Sequence, residues 1–239
     1  MERVIVIEQP NYIPWIGYFD LMAQCDVWIW YDDVQYTKRD WRNRNRIAGD
    51  GGPLWLTIPV KTKGRFHQKI GEVEIDYARP WVRKHLAAFR DCYRRAPGFG
   101  DLLGIYGGAL EREPRFLADL TIGLNETLAG CLGLAPRFAR SSSFGGSEER
   151  ADRQQRLLDL CARSAATAYL SGPAARAYID PESFHRAGVA LRYMVYNYPP
   201  YARGGHPFVP HLSILDALAW LGPAETAALI RHGQRWETA

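Results

Sequence analysis

The sequence predicts an α/β fold, with a Rossmann-like, mostly parallel sheet flanked by helices and a helical middle segment over about 79–132. Three observations predict it. Val4–Glu8 and 27–31 are short apolar runs separated by a proline loop and a stretch of helical spacing, the outline of a βαβ unit, which requires parallel strands and a crossover. Further short apolar runs alternate with helical patterns toward the C-terminus. Between them, 79–132 carries apolar residues at three- and four-residue intervals without a strand-like break.

The run Val4–Glu8 stops at Gln9-Pro10, where a proline ends ladder pairing and turns the chain out of the sheet. Pro14 suits a first helical turn, and Ile16, Phe19, Leu21, Met22 and Ala23 fall at roughly helical spacing, so 15–24 reads as a helix. The run 27–31 is the second strand. Another strand is expected at 54–60 and a weaker one at 73–76, separated by the Gly- and Lys-bearing loop 61–69. A helix at 79–95 places Val82, Leu86, Phe89 and Tyr93 on one stripe and stops at Pro97-Gly98; further helices are expected at 99–108 and 114–132. A strand at 138–142 leads to a helix opened by Ser147-Glu148-Glu149 and running to about Ser164, with Leu157, Leu160 and Cys161 inward. Strands at 168–170 and 190–196, the turn Ser171-Gly172-Pro173 and a closing helix at 213–221 complete the chain. No internal repeat is present, and residues 1–239 are expected to form a single α/β domain.

At 47% hydrophobic and 23% charged residues the composition is that of a globular protein. No apolar run approaches the roughly 20 residues of a membrane helix, and the four apolar residues after Met1-Glu2-Arg3 fall short of a signal-peptide core, so a cytoplasmic location is expected. Cys25, Cys92, Cys131 and Cys161 lie far apart, which indicates neither a zinc site nor a disulfide framework. His206 and His211, five apart in a proline-bearing loop, match no common ligand spacing, and no metal is expected.

In an open parallel sheet, ligands bind beyond the carboxyl ends of the strands. Two segments lie at such ends, the loop Gln9-Pro10-Asn11-Tyr12-Ile13-Pro14-Trp15 and the polar block from Asp32 to Arg46, and both are expected to face one crevice. The block supplies five basic side chains between Lys38 and Arg46 beside Asp32, Asp33, Tyr36 and Trp41: donors for phosphate or carboxylate and flat faces for a ring. A solvated charged loop is the competing reading. Gly17, in Pro14-Trp15-Ile16-Gly17-Tyr18, sits where nucleotidyl-transferring α/β proteins carry His-x-Gly-His at a helix start; both histidines are replaced here, and Gly17 serves either anion approach or packing.

Six motifs in order, Gln9-Pro-x-Tyr-x-Pro-Trp-x-Gly-Tyr18, Asp26 with Asp32-Asp33-Val-Gln-Tyr36, Lys38-Arg39-x-Trp41 with Asn43-Arg44-Asn45, Trp55-Leu-x-Ile-Pro-Val60, Tyr169-Leu-Ser-Gly172 and Leu212-Ser-Ile-Leu-Asp216, resemble the WbqC-like family over about residues 4–222. Members of that family occur in bacterial surface-polysaccharide (O-antigen) and natural-product gene clusters. The resemblance implies modification of an amino sugar or related amine by amide formation with an amino acid or acyl group. Where members often carry Gln after Pro-x-Tyr, this chain has Ala202.

The residues themselves suggest roles. Asp33 is the candidate general base, with Lys38 and His211 as further catalytic candidates. Lys38, Arg39 and Arg44 would hold phosphates, Tyr12, Trp15 or Trp41 would stack on a ring, and Gln9 and Asn45 would fix orientation. Asn11, Gly17, Asp32, Gln35, Ser171 and Gly172 complete the candidate substrate-binding set. Ser213 reads as the N-cap of the last helix, and His85 as a buried residue of the 79–95 helix. ATP, a carrier-protein thioester or an aminoacyl-tRNA would each suit as acyl donor to a small, phosphate-bearing substrate. A non-catalytic nucleotide-sugar-binding module and a tRNA- or other nucleic-acid-binding protein are the alternatives, and the Ala- and Leu-rich 114–132 helix suits packing either internally or across a homodimer.

Overall fold

A computed structural model describes residues 2–49, 51–145 and 152–239. In chain order its elements are β1 (Val4–Glu8), α1 (Ile16–Ala23), β2 (Val27–Trp30), β3 (Arg44–Gly49), β4 (Gly52–Thr57), α2 (Trp81–Tyr93), α3 (Phe99–Glu111), α4 (Leu117–Cys131), β5 (Arg137–Arg140), α5 (Arg153–Arg163), β6 (Ala168–Ser171), α6 (Pro181–Arg186), β7 (Ala190–Met194), α7 (Ile214–Gly233) and β8 (Trp236–Thr238). Six strands form one sheet in the order β5-β2-β1-β6-β7-β8, all parallel except β8, and β3 and β4 form a separate hairpin. This is the α/β fold that the sequence predicts.

β1 sits inside the sheet and is buried on both faces, which is why it reads as an unbroken apolar run. Alternate side chains go to opposite layers. Val6 joins Phe19, Trp28 and Trp30 beneath α1 and the α2–α4 helices, whereas Ile5 and Ile7 join Ile29, Leu157, Leu160 and Phe184 on the α5–α6 side. Trp28 and Trp30 are enclosed and build the core; the Trp30 indole N–H donates to Glu126 of α4. α4 packs internally against α3, burying Leu117, Leu120, Leu124 and Leu128.

Two expectations need correction. Residues 44–46, expected in the polar block beyond the second strand, form β3 together with 47–49, and its alternation puts Asn45 and Ile47 inside and leaves Arg44 and Arg46 half exposed. No strand forms at 73–76; a single 3-10 turn at Ile70–Glu72 precedes isolated bridges at Glu74 and Ile75. The closing helix expected at 213–221 forms and ends there, because Gly222 takes φ 75°; a further helical segment that the sequence did not suggest restarts at Pro223 and runs to Gly233, and the two together make up α7. α6 and β8 were not expected. The helix start at Ser147-Glu148-Glu149 lies outside the described residues, and the described helix begins at Arg153. Among the described residues no helix is long and apolar enough to cross a membrane.

Candidate active site

A cavity of about 560 Å³ opens at the carboxyl ends of β1, β2 and β6. β1 lies between the other two, so its end is the place where successive crossovers leave in opposite directions, the usual ligand position of such sheets. β1 contributes Glu8 and Gln9; the chain after β2 contributes Tyr31, Asp33, Gln35, Thr37 and Arg42; β6 contributes Tyr169 and Ser171; and Lys69, Arg153, Arg156 and Tyr178 close the rim. Four cationic side chains face two carboxylates in this lining, a balance that favours an anionic ligand.

The two carboxylates differ in their surroundings. Asp33 pairs with Arg156 at 2.6 Å, both side chains being buried, and its other oxygen accepts from the Ser141 hydroxyl at 2.5 Å. The Glu8 carboxyl has no ion pair and no hydrogen bond to another side chain among the described residues. Burial pushes its carboxyl up to about 7, opposed by the positive charge of Arg42 and the Gln9 backbone N–H. Beside it, the buried side-chain carbonyl oxygen of Gln9 has no partner among the described residues. A buried acceptor in that state is costly unless a ligand or solvent donor meets it.

Asp32 does not line the cavity. It is enclosed and accepts from the Ser142 backbone N–H at 3.0 Å and hydroxyl at 2.9 Å, tying the end of β2 to the turn after β5.

The expected single crevice is instead two. A second cavity, about 330 Å³, is lined by Asn11, Pro14, Trp15, Tyr18, Trp41, Asn45, Arg46 and His211. Asn11 and Arg42 stand between the two, joined by a 3.0 Å hydrogen bond from the Arg42 guanidinium to the Asn11 side-chain oxygen, and Arg42 is further fixed by Asp40 at 2.6 Å. Consecutive residues thus serve different spaces: Trp41 the second cavity, Arg42 the first.

The remaining sequence candidates divide in the same way. Gln35 and Ser171 line the first cavity with Gln9 and Asp33, whereas Trp15, Asn11 and His211 line the second. Lys38 and Arg39 are exposed and belong to neither lining, and neither do Arg44 and Gly172. Tyr12 turns away into the core, where its hydroxyl meets Tyr106 at 2.6 Å and His85 Nδ1 at 2.9 Å. Asn45 lies in the second lining, but its amide is committed to the main chain: the buried side chain donates to the Tyr12 and Ile13 carbonyls, holding Ile13 at φ 37°, a strained value for a β-branched residue. Gly17 lies against the Trp15 indole, which approaches to 2.3 Å of where a Cβ would stand, so its missing side chain accommodates Trp15 and leaves no room there for a phosphate. Ser213 caps α7 by accepting from the Leu215 N–H, and His85 is enclosed.

Glu8, Arg42, Lys69 and Arg156 were not singled out from the sequence. Arg156 carried a signal, a charged residue one turn before Leu160 on the inward stripe of α5. Asp216, the last residue of the motif Leu212–Asp216, is fully buried and receives hydrogen bonds from Arg203, Tyr93 and Tyr201, so it organises the packing of α7 rather than either cavity. Among the described residues no group of three or more His, Cys, Asp and Glu side chains is placed to hold a metal ion.

The chain matches a curated Mycobacterium tuberculosis protein, named uncharacterized protein Rv1507c, with 42% identity over 238 residues, covering 97% of this chain and 99% of that one. No solved structure matches. A family model for the WbqC-like protein family matches residues 9–228, from Gln9 directly after β1 into α7, and takes in the lining of the second cavity and all of the first except Ile7 and Glu8. The chain belongs to the WbqC-like protein family.

Proposed function

We propose that the chain is a transferase that joins an activated acyl or aminoacyl group to the amine of a small, phosphate-bearing amino sugar or related compound, with Glu8 as general base. The observation that carries this reading is the Glu8 carboxyl, held at about 7 in the cavity, unclaimed by any other side chain and next to an unpartnered Gln9 carbonyl oxygen. A base of that strength is matched to removing a proton from an attacking amine near neutral pH. Gln9 accepts a hydrogen bond from the same amine and turns its lone pair toward the acyl carbon. The new N–C bond forms as the C–O or C–S bond of the donor breaks; the amine's proton goes to Glu8, which then supplies it to the departing group. Arg42, Lys69 and Arg153 face the phosphate of the substrate. Asp33, already engaged by Arg156 and Ser141, has a positioning role: it holds Arg156 in the wall.

The test is product formation, read by mass spectrometry, from an amine-bearing nucleotide sugar offered with ATP plus amino acids, an acyl thioester, or aminoacyl-tRNA in parallel. One donor should give an amide, and Glu8→Gln should lower kcat by about 10²-fold or more while leaving the circular dichroism spectrum unchanged. Undiminished turnover in that variant would remove Glu8 from the reaction. Ligand-induced thermal stabilisation without product from any donor would favour a non-catalytic nucleotide-sugar-binding module.

A further inference from the structure

On the outer face of the β3–β4 hairpin, Trp41 and Trp55 stack with ring centres 5.5 Å apart and are 42% and 44% exposed. Arg44 lies over the Trp55 ring at 4.5 Å, and Arg46 lies 5.6 Å from the same ring and 5.9 Å from Trp41. Neither guanidinium has an ion-pair partner among the described residues, and the Nε of each is buried without an acceptor. Exposed indoles are costly to leave in water, and a guanidinium without a carboxylate retains its affinity for an anion. The group is not an isolated surface feature: Trp41 and Arg46 also line the second cavity, whose wall toward Glu8 is the Arg42–Asn11 pair.

We infer that the second cavity and its Trp41–Trp55 rim bind the nucleoside end of a nucleoside-diphosphate-linked substrate. The base stacks on the exposed indole surface, Arg44 and Arg46 take the first phosphate, and Arg42 takes the second where the partition opens into the Glu8 cavity. This deepens the function proposed above by naming the substrate class, and it rests on that reading only for which end of the ligand reaches Glu8. A small ligand fits the charge better than a nucleic acid does, because the net charge of the chain is only +4 and Asp40 stands beside Trp41.

Calorimetric titration of the whole protein with uridine diphosphate and adenosine diphosphate tests it, with inorganic pyrophosphate and ribose 5-phosphate as base-free controls. One nucleoside diphosphate should bind at least tenfold more tightly than either control. Trp41→Ala and Arg46→Gln should each weaken it by roughly tenfold, in keeping with base–aromatic stacking, with Trp41→Phe recovering most of the loss. Glu8→Gln should bind the nucleotide no more weakly than the parent, because it removes a carboxylate that faces Arg42, so failure of the Glu8 chemistry and failure of this site are separable. Pyrophosphate binding as tightly as the nucleotides, unchanged affinity in a folded Trp41→Ala protein, or no binding of either nucleotide would overturn the inference. Tighter and steeply salt-dependent binding of a single-stranded oligonucleotide, or self-association abolished by Trp55→Ala, would overturn it in favour of a nucleic acid or a second copy.

Discussion

Replacing Glu8 by glutamine should stabilise the protein at neutral and alkaline pH and have almost no effect in acid. Burial raises the Glu8 carboxyl from its ordinary 4.5 to about 7, so the native state binds this proton more tightly than the unfolded chain does. Stability from the protonated form is therefore complete below the unfolded value and is lost as pH rises through the folded one, a window of 4.5 to about 7. At 1.36 kcal/mol per tenfold change in proton affinity the ceiling is about 3 kcal/mol, and because the carboxyl borders an open cavity, screening reduces this to about 1–2 kcal/mol. For a chain of this size that corresponds to roughly 2–8 °C in Tm. Thermal unfolding of parent and Glu8→Gln proteins should give coincident midpoints near pH 4 and a gap that opens between pH 5 and pH 7.5 in favour of the variant. A gap independent of pH, or a less stable variant at pH 8, would refute the argument that Glu8 is held against its preference for ionisation.

Three further outcomes follow from the geometry. His85, pushed down to about 4 from 6.5 by burial, is neutral in the fold, so its contribution is present above 6.5 and lost as pH falls toward 4; His85→Gln should flatten the acid limb of urea-unfolding curves in that window, and an unchanged limb would count against it. Asp216→Ala strands the buried Arg203 guanidinium and the hydroxyls of Tyr93 and Tyr201, and should cost about 3–5 kcal/mol in denaturant unfolding, with a loss under 1 kcal/mol inconsistent with the network. Gly17→Ala places a methyl group against the Trp15 ring and should cost about 1–3 kcal/mol, read in the same assay, while a neutral result would show that Trp15 moves freely.

The strands and helices that were legible in the sequence are those whose burial is two-sided or strictly periodic. Val4–Ile7 and Val27–Trp30 are apolar throughout because both faces are covered, and Trp81–Tyr93 carries a clean stripe. β3 was hidden because one of its inward positions is Asn45, whose amide replaces an apolar side chain by bonding two carbonyls of the neighbouring loop; polarity there reports a long-range clamp, not solvent. The same limit applies to the site. That a cavity would open at the strand ends followed from topology, and Asp33 lines it. The distinction between Asp33 and Glu8 did not, because it depends on Arg156 and Ser141, more than a hundred residues away in the chain. The partition of one expected crevice into two depends likewise on the Arg42–Asn11 bond, which joins residues 31 apart.

The adjacency of Trp41 and Arg42 makes the length of their loop matter more than its composition. Substituting Trp41 alters the second cavity alone, whereas substituting Arg42 changes the first and also breaches the partition it forms with Asn11, and inserting or deleting a residue between Thr37 and Asn43 would move both side chains away from the spaces they line. Attempts to change what the protein accepts should therefore vary the side chains at these two positions and keep the spacing fixed.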